Sequence, residues 1–279
     1  MALSIQSNAA SKSIQNQLSR TNNDLSVALQ RLGSGFKINS AKDDAAGLQI
    51  ANRLNAQVRG QEAAIYNANN ANSMLQTAEG AFEEMTNIAY RMKELATQGA
   101  NGTNNTSEYT AMGAEFDALS AELTNIMSNT SYGSGTTLLD AAGKFGAGPV
   151  TLQIGSTAAE TLDVDISAEL GDVDTALGAL TGLADQADSV ASMAEIDTLI
   201  DNIGAARANL GATMNRLDHT INNLTNMVEN TQASASQLMD ADFAKETSNM
   251  TKQQLLMNSG ISVLSASNST TQMIGSLLR

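Results

Sequence analysis

Between Ile203 and Leu238 apolar residues recur in alternating steps of four and three: Ile203, Leu210, Met214, Leu217, Ile221, Leu224, Val228, Ala235 and Leu238, with Arg207 and Thr231 the two departures. That is a heptad seam. The run holds no Pro and only Gly204 and Gly211, so it predicts one unbroken helix on the order of 50 Å long at about 1.5 Å per residue. Each Leu or Ile of such a seam left in water forfeits roughly 1.5–3 kcal/mol. The helix therefore demands partners along its whole length, from elsewhere in the chain or from copies of it.

Composition narrows what those partners are. In 279 residues there is one Pro, at position 149, no Trp and no Cys, while aromatics make up 3% and hydrophobic residues 42%. One or two domains fit that length. Long helices around an aliphatic, thin core are expected rather than a loop-rich enzyme fold. Metal and redox sites built on thiolate are excluded, and the lack of Cys fits either an intracellular chain or one that lives outside the cell without disulfides. The net charge of −14 is uneven: the first sixty residues carry seven Lys or Arg against Asp24, Asp43 and Asp44, whereas residues 140–200 carry eleven acids against Lys144 alone. An acidic middle argues against nucleic acid as a ligand and fits a solvated outer surface. No apolar run reaches the roughly 18–20 residues of a membrane span, so membrane insertion is not expected. The start, Met1-Ala2-Leu3-Ser4-Ile5-Gln6, lacks the basic and apolar regions of a conventional signal peptide. Outside the cell, such a chain would have been exported by another route.

In order along the chain, Ile14, Leu18, Thr21, Leu25, Ala28 and Leu32 make a weak seam on an opening helix. It is too poor in large apolar positions to stand alone in water, so residues 1 to about 35 are expected to order only on contact with partners. Gly33 and Gly35 end it. Ser40 and Asp43 are spaced to start the next helix, Ser40 accepting from a first-turn amide and Asp43 reaching back. Lys42-Asp43-Asp44 has no third ligand or His at helical spacing and is read as that helix start, not a metal site. Ala71, Leu75, Ala78, Phe82, Met85, Ala89, Met92 and Ala96, flanked by Ile88 and Leu95 and reaching back towards Leu54 and Val58, give a long second helix. After the turn composition of Asn101 to Asn105, Met112, Phe116, Leu119, Leu123 and Ile126 give a third. Three antiparallel helices sharing one core is the economical assembly, with Met85 and Met92 as gap-filling core.

From Tyr132-Gly133-Ser134-Gly135 the period changes. Val150 to Ile154 and Thr161 to Ile166 alternate apolar and polar residues, which predicts a β-hairpin. Residues 167–200, rich in Ala, Asp and Gly, return the chain through expected short helices Val173 to Leu183 and Met193 to Ile203. Asp240 to Met250 is read as a connecting spoke, and Met257, Ile261, Leu264, Thr271 and Leu278 as a last seam interrupted at Asn268 and Gly275.

Two stretches carry a resemblance. The run Arg31-Leu32-Gly33-Ser34-Gly35-Phe36-Lys37-Ile38-Asn39-Ser40-Ala41-Lys42-Asp43-Asp44-Ala45-Ala46-Gly47-Leu48-Gln49-Ile50-Ala51-Asn52-Arg53 closely resembles the N-terminal signature of bacterial flagellins. Asp240 to Met250 and the terminal Leu277-Leu278-Arg279 resemble the C-terminal signature, so the likeness covers residues 1–135 and 200–279. It implies a mainly α fold, a long antiparallel helical bundle or coiled coil with a small β-hairpin region and the N- and C-terminal helices paired. The implied division is a terminal coiled-coil domain of residues 1–44 and 236–279 and a core of 45–235, with the hairpin at about 137–166 and an acidic outer segment at about 167–200. No large outer domain fits between them, which implies a smooth, slender filament.

The resemblance further implies a structural subunit of the flagellar filament, extracellular, exported unfolded through the flagellar channel, with self-copies, an export chaperone, and junction and cap proteins as partners. It places the terminal seam on Ile14, Leu18, Leu25, Leu32, Met257, Ile261, Leu264 and Leu278. The core seam falls on Leu75, Phe82, Met85, Met92, Phe116, Leu123, Leu210, Met214, Leu217, Ile221, Leu224 and Val228. An innate-immune receptor contact, or in its place an axial subunit contact, maps to Arg91, Leu95 and Glu115, although Tyr90 and Met92-Lys93 depart from the commoner family residues there.

Enzyme chemistry finds no candidate. The only His, His219, lies beside seam residue Leu217 with no Cys and no nucleophile elbow to serve it, and no phosphate-cradling loop occurs. No cofactor is expected. A hook-filament junction protein shares related terminal helices and is the alternative within the same machinery; a soluble coiled-coil module would differ by remaining monomeric with both ends ordered.

Overall fold

The computed structural model describes residues 8–133 and 135–277; among them run α1 (Ala9–Ser34), α2 (Ala45–Gly99), α3 (Thr106–Asn129), β1 (Ser131–Tyr132), β2 (Thr136–Thr137), β3 (Val150–Gln153), β4 (Thr161–Val164), α4 (Ser167–Gly178), α5 (Gln186–Met239) and α6 (Phe243–Leu277). Local chemistry sets most boundaries. Asn8 caps α1 by accepting from the Ser11 amide at 3.0 Å. The helix ends at Gly35, whose φ of 78° is left-handed and whose N–H donates to Arg31 O at 2.9 Å. Gly33 lies inside the last turn, so Gly35 alone does the terminating. The α2 start differs from expectation: Asp44, not Ser40, caps it, accepting from the Gly47 amide at 2.9 Å. Asp43 reaches back as expected, its Oδ2 accepting from the Asn39 and Ser40 amides at 3.1 and 2.9 Å.

Two compact units divide the chain, one made of residues 1–56 and 230–279, the other of residues 57–229. Both boundaries fall inside helices, twelve residues past the expected division at 44 and six before that at 236. No break in sequence marks them, because α2 and α5 continue through in regular helical form.

In the second unit α2, α3 and α5 pool their seams, with α5 antiparallel to α2 as the pairs Glu79–Arg207 and Lys93–Asp197 show. Leu75, Phe82, Met85, Met92, Phe116, Leu123, Leu210 and Leu217 are buried in one cluster, with Met214 and Ile221 packed partly buried against it; Leu224 is buried and Val228 half-buried. The core is less purely aliphatic than composition suggests. Phe82, Phe116 and Phe145 are all fully buried. At one seam position Arg207 replaces an apolar residue because Glu79 meets it across the helices, Nη2 to Oε1 at 2.7 Å.

The hairpin forms as read: β3 and β4 pair antiparallel with Val150 opposite Val164 and Leu152 opposite Leu162. Leu162 and Val164 face inwards. Asn67 of α2 donates to Gln153 O at 3.3 Å and so holds the hairpin on the bundle. The small β1–β2 pair, with Ser131 opposite Thr137, lies in a stretch with no alternating pattern, and behind it Leu138 and Leu139 are fully buried. Ser134, in its turn, lies outside the described residues.

The returning segment is simpler than expected. One short helix, α4, spans Ser167–Gly178, and the second expected short helix is the beginning of α5, which has 54 residues and an axial rise of about 80 Å. From Met193 onwards α5 already carries an apolar face, with Ile196 and Leu199 in the core and Met193 and Ile200 packed against it, so the helix is continuous with the seam that follows. The expected spoke likewise shrinks to residues 240–242. Asp242 caps α6, accepting from the Ala244 and Lys245 amides at 2.9 and 3.1 Å, so helix resumes at Phe243.

Candidate functional site

The terminal unit is built on an antiparallel pair, α1 against α6. Along α1 the facing positions are Ser11, Ile14, Leu18, Thr21, Leu25, Ala28 and Leu32, with Leu25 and Ala28 buried and Ile14, Leu18 and Leu32 half-buried. Along α6 the facing line is Glu246, Met250, Gln253, Met257, Gly260, Leu264 and Ser267, strict steps of four and three. Ile261 is therefore not on this line: it is 54% exposed, and Gly260 takes the seam position in its place. A Cβ at residue 260 would stand 2.7 Å from Leu18 Cδ2, so only glycine permits this approach without displacement. Leu278 lies outside the described residues, and nothing is described of the Thr271 side chain.

Polar groups fix the register at both ends of the pair. Near one end Ser11 donates to Asn268 Oδ1 at 3.1 Å and Asn8 to Ser267 Oγ at 3.4 Å. At the other, Arg31 Nη1 meets Glu246 Oε1 at 3.2 Å, with the Glu246 side chain 8% exposed. Next to it the α1–α2 and α5–α6 connections bond to each other, Lys37 N to Met239 O at 2.7 Å and Ala241 N to Gly35 O at 2.8 Å. Neither Glu246 nor Gly260 is apolar, so a hydrophobic pattern passes over both; the strict heptad steps running back from Met257 to Glu246 and on to Gly260 are the signal that marks them.

Outward, this unit is unusually apolar. Val27, Leu29, Phe36, Ile50, Phe243, Leu255, Leu256, Ile261, Val263 and Met273 are large and exposed on it, against Tyr66, Tyr90, Val190 and Met227 on the other unit, among the described residues. A shallow groove between α1 and α6 is lined by Ile14, Leu18, Thr21, Leu256, Gly260 and Val263. Of the exposed large apolar residues, Leu256 and Val263 border this groove, so part of the unit's outward apolar surface gathers in one place.

On the core unit, two donors of Arg91 converge on the one oxygen Glu115 Oε1, Nε at 2.9 Å and Nη2 at 2.8 Å, and Nη1 donates to Glu94 Oε2 at 2.9 Å. These bonds, Glu115 first, raise the Arg91 pKa further above its usual value. Leu95, assigned to the same contact by resemblance, is 2% exposed and belongs to the core. Lying three residues after Met92 and next to Ala96, both fully buried, it falls on the core face of α2. His219 is exposed on α5 beside Asp218, which accepts from Asn72 at 3.3 Å. No group of three metal-ligating side chains occurs among the described residues. Nor, among them, is any helix long and apolar enough to cross a membrane.

A pair of helices from opposite ends of the chain in one unit, and a helical core with a hairpin in the other, define a class of chains whose N- and C-terminal segments fold together. Two family models match in the corresponding places, the bacterial flagellin N-terminal helical region over residues 5–144 and the bacterial flagellin C-terminal helical region over residues 193–278. The chain belongs to the flagellin family. It is 36% identical to the flagellin of Listeria monocytogenes serovar 1/2a, over 99% of both chains. Flagellin D of Vibrio cholerae is 32% identical over 95% of this chain and 96% of that protein. B-type flagellin of Pseudomonas aeruginosa is 48% identical over 60% of this chain but 33% of its own length. The chain thus spans about a third to a half of several longer relatives it matches. The crystal structure of Bacillus cereus flagellin superposes with a TM-score of 0.51 at 32% identity, over 57% of this chain and 88% of that one. A putative flagellar hook-associated protein from Vibrio parahaemolyticus, 16% identical with a TM-score of 0.53 over 71% of this chain and 98% of its own, shares the fold.

Proposed function

We propose that this chain is a structural subunit that polymerises through its terminal helix pair into the flagellar filament, a role without enzymatic chemistry. The observation that carries it is the concentration of exposed large apolar side chains on the α1–α6 unit. Water penalises that surface in a monomer, and neighbouring copies bury it. A repeated contact between unlike faces does not close into a ring and propagates a helix. The family membership supports this reading, and the likeness to a hook-associated protein, at 16% identity, supports a shared fold without favouring a junction role.

In this reading the subunit is extracellular in its working state, exported unfolded, and held before assembly by a chaperone that covers α6. Junction and cap proteins then meet the same terminal helices at the ends of the polymer. A receptor contact on the core unit would engage Arg91 and Glu115 and not Leu95, which is buried; an Arg91→Ala chain that signals like the parent in a reporter assay rules it out. The central test is assembly of purified chain on short filament seeds, followed by negative-stain electron microscopy. Long tubes that regrow on seeds are expected; a chain that stays monomeric at every concentration tried overturns the proposal.

A further inference from the structure

The turn joining α2 to α3 holds the sequence's one Asn-Gly step, Asn101-Gly102, and both residues are exposed. Asn101 is anchored on each side. Its N–H donates to Gln98 O at 3.2 Å, and its carbonyl accepts from Asn104 N at 3.2 Å and from the Tyr109 hydroxyl at 3.5 Å. Its side-chain Oδ1 accepts from the Thr103 amide at 3.3 Å. The carboxamide is thus folded over the peptide that follows it, with its carbonyl polarised by a donor. The Gly102 N–H, by contrast, has no acceptor among the described residues. Residue 102 has no Cβ to obstruct approach to its nitrogen.

These are the requirements for intramolecular attack on an asparagine side chain. Other sequence-labile steps lack at least one of them. Asn105-Thr106 shares the side-chain arrangement, its Oδ1 accepting from the Ser107 amide at 3.0 Å, but a β-branched side chain crowds the attacking nitrogen where residue 102 has none. The Asn39-Ser40 nitrogen is tied to Asp43 Oδ2 at 2.9 Å. The serines after Asn72, Asn258 and Asn268 lie within α2 and α6, where the helical ladder holds their amides. The Asn105 and Thr130 nitrogens, after Asn104 and Asn129, donate to Glu108 Oε2 at 2.7 Å and Ile126 O at 3.1 Å.

We propose that Asn101 is a spontaneous modification site, deamidating through a cyclic imide with Gly102. Solvent hydroxide takes the Gly102 amide proton, and the nitrogen bonds to Asn101 Cγ. The Cγ–Nδ2 bond breaks and Nδ2 leaves as ammonia, taking its proton from water. Water then opens the imide at either carbonyl, giving aspartate or its isoaspartyl isomer, with one water consumed and one ammonia released. The product places a carboxylate just beyond the end of α2, the negative end of the helix dipole. The isoaspartyl form also adds a methylene to the backbone and disrupts the bond from Asn104 to Asn101. In a polymer whose subunits are not replaced, this turn would age with time since export, and its isoaspartyl form would be a substrate for carboxyl methylation.

The test incubates the full chain in mildly alkaline and mildly acidic buffer beside Gly102→Ala and Asn101→Gln chains. Peptide mass spectrometry reads amide-to-acid conversion at each Asn, and an isoaspartyl carboxyl methyltransferase with labelled methyl donor reads the isomer. A Cβ at residue 102 meets Gln186 Nε2 at 3.4 Å, and the φ there is not left-handed, so alanine fits the turn. Expected are conversion at Asn101 about ten-fold or more faster than at Asn39, faster in alkali, matched by methyl incorporation, and slowed about ten-fold in Gly102→Ala because the methyl group hinders the nitrogen. Equal rates at Asn101 and Asn39, or a Gly102→Ala rate equal to the parent, overturns the proposal.

Discussion

At Gly260 the backbones of α6 and α1 approach as closely as Leu18 allows. A single methyl can be absorbed by turning the Leu18 isobutyl group, and alanine also favours helix by about 1 kcal/mol over glycine. Gly260→Ala should therefore leave the pair near its parent stability, whereas Gly260→Phe should cost about 1–3 kcal/mol by forcing the helices apart. Hydrogen exchange of α1 amides separates the two. Glu246 is a second sensitive position, because its carboxylate is buried and its partner Arg31 already has a buried Nε without an acceptor. Glu246→Ala is expected to cost about 1–3 kcal/mol by stranding that guanidinium, and Glu94→Ala, at an exposed surface pair, far less. Asp43 supplies an acid-sensitive contact: amide bonds from Asn39 and then Ser40 lower its pKa below the ordinary 3.8. A folded value below the unfolded one stabilises the loop at neutral pH, and the contribution fades as pH falls below about 4 through the folded value. Protection of the Asn39 and Ser40 amides should therefore drop in that range in the parent and be low throughout in Asp43→Ala.

The elements differ in how they are held. α2, α3 and α5 share a core with Phe82 at its centre, so Phe82→Ala is expected to lower the stability of the core unit by about 3–5 kcal/mol in a denaturant titration. Pairing of α1 with α6 combines Leu25 and half-buried apolar residues with small and polar ones, Ser11, Thr21, Ala28 and Gly260, and its most buried leucine keeps 8% of its surface exposed where Phe82 keeps none. That pair should exchange its amides faster than the core helices in the free chain and slow to match them in any assembled form. Sequence periodicity found α2, α3 and the β3–β4 hairpin because their apolar residues recur at the period of their own geometry. It placed Ile261 on the α6 seam, since an apolar residue outranks glycine in any pattern count. It missed where α5 begins because the buried positions of its first turns are Ser189 and Ser192, which give no apolar signal, and the apolar face starts only at Met193.

For the whole molecule, assembly is the property that depends on both ends at once. Removing residues 262–279 strips the Ser267 and Asn268 contacts with Asn8 and Ser11 and part of the exposed apolar face. The truncated chain should retain core helicity and its cooperative unfolding but fail to elongate seeds; a truncated chain that grows tubes would show that the α1–α6 unit is not the assembly element. Because the core unit closes its own hydrophobic cluster, its melting should be unchanged by the truncation.

Period and spacing along the chain were enough to give α1, α2, α3, the hairpin and the family, since each follows from residues near one another in the sequence. That Leu95 is core and not surface, that Gly260 and Glu246 complete the terminal seam, and that Arg207 is answered by Glu79 emerge only once distant segments are packed together. Those outcomes depend on which side chain from a distant segment arrives opposite, and a pattern along one strand of sequence holds no record of its partner's shape or charge.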